Sequence, residues 1–142
     1  MILNGVIEGV EVQRSPQLQP AAQVSIDIRF VDIKEVEGNV DASFLYEATY
    51  SNDAGFLRMN GRLLLKPPSK PELEKLLDAW NSSKSLPPNF AKEAITAAHH
   101  MCSINAPLAT RIVDLAPPIM PLEITFAQNG GSAAKKAERG KR

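Results

Sequence analysis

LPPNFAKEAITAAHHMCSINAPLATRIVDLAPPIMPL, residues 86–122, is the stretch on which the reading of the fold turns. It predicts a helix with a marked start, a second helical piece, and an exit stiffened by prolines. Pro87 and Pro88 suit a first helical turn, where φ is already near the proline value and the N–H has no helical partner. Asn89 offers a side-chain oxygen as an alternative cap, so the start is open by a residue or two. Ala91, Ala94, Ile95, Ala98, Met101, Cys102 and Asn105 recur at three- and four-residue steps, a narrow stripe of mostly small side chains. Such a helix can approach a sheet closely. The spacing predicts helices over about 88–104 and 107–115, with Pro107 opening the second.

A chain of 142 residues predicts one domain with room for a real core. Its 44% hydrophobic and 23% charged residues are ordinary for a folded soluble domain. Formal net charge is zero, but Lys135, Lys136, Arg139, Lys141 and Arg142 crowd the last residues against Glu138 alone. The rest holds 11 basic and 15 acidic residues, a charge of −4. A mildly acidic body excludes the basic stripe that specific nucleic-acid binding requires. No apolar run approaches the roughly 20 residues of a bilayer span, so no membrane insertion is expected, and MILNGVIEG does not read as a signal peptide. A single Cys102 cannot form an internal disulfide, which agrees with a cytoplasmic setting.

Upstream of the helices the period is two. Gly5 to Arg14 alternates imperfectly, with Gly5 and Gly9 marking weak points. Ser15 to Ala22 is a loop bracketed by Pro16 and Pro20, with Leu18 between them. From Val24 the alternation of Val24, Ile26, Ile28 and Phe30 with Ser25, Asp27 and Arg29 is the cleanest strand signal in the chain. Apolar positions then change parity to Val31 and Ile33, which predicts a bulge. Gly38 marks a hairpin, and Val40, Ala42, Phe44, Tyr46, Ala48 and Tyr50 share one face of a third strand. SNDAG, residues 51–55, is a turn. Leu57, Met59, Leu63 and Leu65 share one face of a fourth strand, with Arg58, Asn60 and Arg62 on the other. Strands over about 5–14, 23–36, 40–50 and 56–66, joined by short turns, predict an antiparallel meander with one face to be covered.

The period changes to 3.6 at Ser69, whose spacing to Glu72 is that of a capping box, with Pro71 tolerated in the first turn. Leu73, Leu76, Leu77 and Trp80 then share one face of a helix over about 70–81. Strands followed by helices predict an α+β domain over residues 1–127, a four-stranded antiparallel sheet covered on one side by two or more C-terminal helices. Residues 128–142, polar, glycine-containing and basic, predict a disordered tail.

The order of four strands, a helix bearing L-x-x-LL-x-x-W, then LPPNFAKEAI and LAPPIMPL, resembles the SecB protein-export chaperone family. Gly61-Arg62-Leu63-Leu64-Leu65 resembles the family's glycine-containing end of the last strand. Pro88 with Ala91-Lys92-Glu93-Ala94-Ile95 resembles the start of its long helix, and Leu115-Ala116-Pro117-Pro118 its exit. The prolines of PPIMPL look most like divergent members outside the export-specialised branch.

The resemblance implies a chaperone that binds unfolded or nascent polypeptides without nucleotide or any other cofactor. It also implies a homo-oligomer, dimer or tetramer, with long apolar grooves for extended clients. By topology, the peptide-binding candidates are Leu18, Val24 and Ile26, and Leu73, Leu77 and Trp80 on the first helix. Read singly, each is first a core residue, because periodic apolar positions are normally buried. Acidic residues are scattered instead of gathered on one strand face, and the tail is basic. Docking on the export motor ATPase is therefore not expected, and a general holdase or a chaperone of one partner, such as an antitoxin, fits as well as an export factor.

Enzyme constellations are poor. His99 and His100 point about 100° apart on a helix and cannot clamp one metal together. Cys102 lies one turn from His99, but no further Cys or His completes a zinc site or orients a catalytic pair. No G-x-x-x-x-G-K-[ST] phosphate loop is present. No catalysis and no metal are expected. The remaining classes are a polypeptide-holding chaperone and a dedicated partner-binding module without general holdase activity.

Overall fold

The computed structural model describes residues 1–16 and 23–118. Four strands, β1 (Ile2–Arg14), β2 (Val24–Val36), β3 (Asn39–Tyr50) and β4 (Gly55–Leu65), precede two helices, α1 (Lys70–Ser83) and α2 (Pro88–Ile112). The fold is α+β, an antiparallel sheet followed by helices, as the change of period predicts. Leu18 and residues 128–142 lie outside the described residues.

The strand order is not a meander. It is β1-β4-β3-β2, every neighbouring pair antiparallel. Strands β2, β3 and β4 follow one another as hairpins, while β1 lies beside β4 in Greek-key order. Local alternation cannot distinguish the two, because β1 presents apolar residues to the same face in either place. The consequence is large: β1 and β2 become the two edges of the sheet, at opposite sides.

Register places the apolar faces. Every even residue of β3 from Val40 to Tyr50 is buried, with Val40, Ala42, Tyr46 and Ala48 fully so. Leu57, Met59, Leu63 and Leu65 join them from β4. The β2–β3 ladder slips between Phe30 and Asp32, so Val31 turns to solvent and Ile33 pairs with Ala42 inside. That is the bulge the parity change predicts. Glu37 and Gly38, at φ of 52° and 80°, close a two-residue loop between Val36 and Asn39. Positive φ at both central residues matches the twist of the flanking strands.

Gly61 sits at a close approach. A Cβ there would collide with the Val6 carbonyl oxygen and the Phe44 ring. Its absence lets β1 lie against β4 while Phe44 fills the space from β3. The opposite sheet face is polar. Arg62 lies 3.3 Å from Glu8 and 3.2 Å from Asp41, and Arg58 lies 3.5 Å from Glu11 and 2.6 Å from Glu47. Each guanidinium bridges β1 and β3 across β4. At these exposures each pair is worth about 0–1 kcal/mol, so the pattern marks a solvated face more than a source of stability.

Ser69 caps α1 by accepting from the Glu72 N–H at 3.4 Å, and Leu73, Leu76 and Trp80 are buried beneath the helix. The two helices expected after residue 88 are one, of 25 residues, with Pro107 inside it. Proline removes the hydrogen bond to the Ser103 carbonyl, which is why it reads as a break in sequence. The helix continues because its buried stripe does: Ala94, Ala98 and Cys102 before the proline, Ala106, Ala109 and Thr110 around and after it. Packing of that stripe, chiefly on β1 and β4, outweighs one lost bond.

Candidate functional site

Among the sequence candidates, Val24 and Ile26 stand on β2, an edge strand of 13 residues. Their inward partners across the ladder are Tyr50 and Ala48, so both point to the helix side of the sheet. They are partly buried, and Ile28 and Phe30, next on the same parity, share that state. Together the four form an apolar strip along a strand whose outer ladder has no neighbour among the described residues. Ile28 and Phe30 were legible in the sequence as the same alternation; what hid their importance was the position of β2 in the sheet.

The helix candidates divide. Leu73 and Trp80 are buried, at 4% and 6% exposure, inside the main core, and the Lys84 ammonium covers the Trp80 ring at 5.3 Å. They support the site from behind and offer a ligand almost no surface. Leu77 is partly buried and packs against the same core. Leu18, the remaining candidate, lies outside the described residues and is not placed relative to the strip.

Two open depressions border the molecule. One lies between Ile2 and the first turns of α2, lined by Asn89, Lys92, Glu93, Thr96, Ala97 and His100. The other lies by the β2–β3 hairpin, where Glu35, Asn39, Lys66 and Ser69 surround Leu73. Both are open to solvent, unlike the enclosed clefts in which small ligands are usually held. Among the described residues no cluster of three or more His, Cys, Asp or Glu side chains could hold a metal.

The residues with nucleophilic or titratable chemistry are packed inward on α2. Burial pushes the Cys102 thiol up to about 12, leaving it protonated and inert. Burial, with a smaller contribution from neighbouring His100, pushes His99 below its usual value, so its ring is held neutral. His99 Nδ1 lies 3.5 Å from the Ser103 hydroxyl and its ring 6.5 Å from that of Tyr46. Burial also raises the Tyr46 phenol, whose oxygen has no hydrogen bond of normal geometry among the described residues. This group is a polar seam in the core, closed to substrate.

A second exposed apolar surface escaped the sequence reading. Ile104, Leu108 and Ile112, at 62%, 68% and 81% exposure, follow one face of α2 away from the sheet. From Ala94 to Thr110 the helix has no Asp, Glu, Lys or Arg. No protein-family model, curated protein or solved structure matches this chain. No helix among the described residues is long and apolar enough to cross a membrane.

Proposed function

We propose that this chain is an ATP-independent chaperone that holds unfolded or nascent polypeptides in extended form in the cytoplasm, with β2 as the strand that receives them. The observation that carries this reading is the edge of β2, which has no neighbouring strand among the described residues, with its partly buried strip of Val24, Ile26, Ile28 and Phe30. An extended client can add to such an edge through backbone hydrogen bonds, which need no particular client sequence, while the strip accepts every second apolar side chain. The motif order resembling the SecB family supports the same reading. Leu73 and Trp80 act in it as core, and Leu77 as the border of the strip. Oligomerisation belongs to the same reading, with the exposed α2 stripe as the apolar surface a subunit contact would cover.

The test is aggregation of a denatured client, followed by light scattering without nucleotide. Suppression at near-stoichiometric protein is expected, and Ile26→Thr should weaken it while leaving the fold intact, since threonine keeps the β-branched shape and removes apolar surface. A well-folded protein that suppresses no client would sink the holdase reading and leave a dedicated partner-binding module.

A further inference from the structure

Strand β2 presents its outer backbone groups in a definite phase. Ser51 donates its N–H to the Gln23 carbonyl at 2.9 Å, one step beyond the Val24–Tyr50 pair. Bonded pairs of the β2–β3 ladder therefore fall on Ser25, Asp27 and Arg29, and the N–H and C=O groups of Val24, Ile26, Ile28 and Phe30 point away from β3. Those four residues also carry the partly buried strip on the helix side. On the outer face Asp27 and Arg29 are exposed, and neither has an ion pair among the described residues. Asp27 stands opposite Glu47, whose carboxylate already holds Arg58 at 2.6 Å, so a cation on the open side of Asp27 would offset two neighbouring like charges. Read backwards against itself, Ile26-Asp27-Ile28-Arg29-Phe30 is self-complementary: apolar residues meet apolar residues, and the anion meets the cation. The slip after Phe30 ends the regular edge at that point.

We propose that two copies of this chain pair β2 with β2 about a two-fold axis at Ile28, joining their sheets into one. The axis makes the pairing antiparallel, and the second copy then supplies the same residues in reverse. Ile28 exchanges both backbone bonds with the partner's Ile28, and Ile26 does so with the partner's Phe30. Asp27 and the partner's Arg29 fall at the non-bonded position between them, where opposite side chains stand closest. The charges choose this register. An axis at Asp27 sets Asp27 against itself, one at Arg29 sets Arg29 against itself, and one at Ile26 sets the two charges against Ser25 and Gln23. The contact is distinct from any made through the exposed stripe of α2, which lies away from the sheet. Pairing with its own copy also closes an edge that would otherwise take up strands without control. Its bearing on activity rests on reading β2 as the client-holding edge: the dimer is then the closed form, and a client takes the place of the second copy.

Hydrogen exchange of the Ile26, Ile28 and Phe30 amides in the full chain, followed over a range of protein concentrations, reads this contact alone. Their protection should rise with concentration. Asp27→Arg and Arg29→Asp should each raise the concentration of half-protection by about tenfold, because two attractive cross-strand pairs become two repulsive ones. Protection within β3 and β4 should stay unchanged in both, which shows that each variant folds. Mixing the two single variants should restore the original half-point, since one chain then carries both cations and the other both anions. The double variant Asp27→Arg/Arg29→Asp should restore it as well. Protection that does not depend on concentration assigns the edge to a segment of the same chain and overturns the proposal. Equal half-points in all the proteins, or no recovery in the mixture, overturn it too. Client suppression, measured in parallel, should be stronger in the single variants at equal concentration. Exchange as expected with no suppression by any of these proteins would sink the chaperone reading and leave the dimer standing; suppression without concentration-dependent protection would do the reverse.

Discussion

Tyr46 shows how much a single buried atom can tell. Its ring is fully buried in a core otherwise suited to phenylalanine, and its hydroxyl lacks a well-formed hydrogen bond among the described residues. A buried hydroxyl without a partner costs about 1–3 kcal/mol, so Tyr46→Phe should raise stability, by about 1 kcal/mol, in urea denaturation. A loss of stability would show that the hydroxyl is satisfied in solution. His99 makes a prediction in pH. The folded state holds this ring neutral more strongly than the unfolded chain does, so protons bind the unfolded state preferentially below about pH 6.5. Stability should therefore fall as pH is lowered from about 7.5 to about 5.5, and fall less in His99→Gln. Equal pH dependence of the two melting temperatures would place the titrating group elsewhere.

Among the elements, α2 is where packing overrules local preference. Pro107 opens a new helix in sequence, yet the helix runs through it because Cys102, Ala106 and Ala109 keep one face on the sheet. The proline's cost remains in the folded state, so Pro107→Ala should stabilise the protein by up to about 3 kcal/mol. Thermal unfolding would show it as a higher melting temperature. A lower one would mean that the proline sets the course of the helix end, where Arg14 and Tyr50 hold the departing chain. Strand β2 teaches the complementary lesson. Its alternation and its bulge after Phe30 were legible because each reports which way a side chain must point. Its exposure as an edge was not, since no residue within the strand encodes who stands beside it.

For the molecule as a whole, the two faces of the sheet divide the work. One carries the Arg58 and Arg62 bridges and is built to be wet; the other carries the core and the helices. Beyond the core, apolar surface remains on the outside of α2, and the proposed oligomer would bury it. Leu108→Glu, at a residue 68% exposed, should leave the melting temperature of the subunit nearly unchanged and reduce the mass measured by size-exclusion light scattering. An unchanged mass would remove the α2 stripe from any subunit contact.

By itself the sequence determined the kinds of element and the inward side of β2, β3, β4 and α1, because periods of two and 3.6 and the Ser69 cap are local consequences of backbone geometry; the imperfect alternation of β1, which shifts register between Ile7 and Gly9, left its inward side open. It also supplied the candidates Val24 and Ile26 through that same alternation. Tertiary structure alone decided that β1 lies beside β4, that Trp80 and Leu73 are sealed core, and that one helix spans Pro107. Each of these depends on contacts between residues far apart in the chain, where the burial gained by packing exceeds what any local preference can oppose.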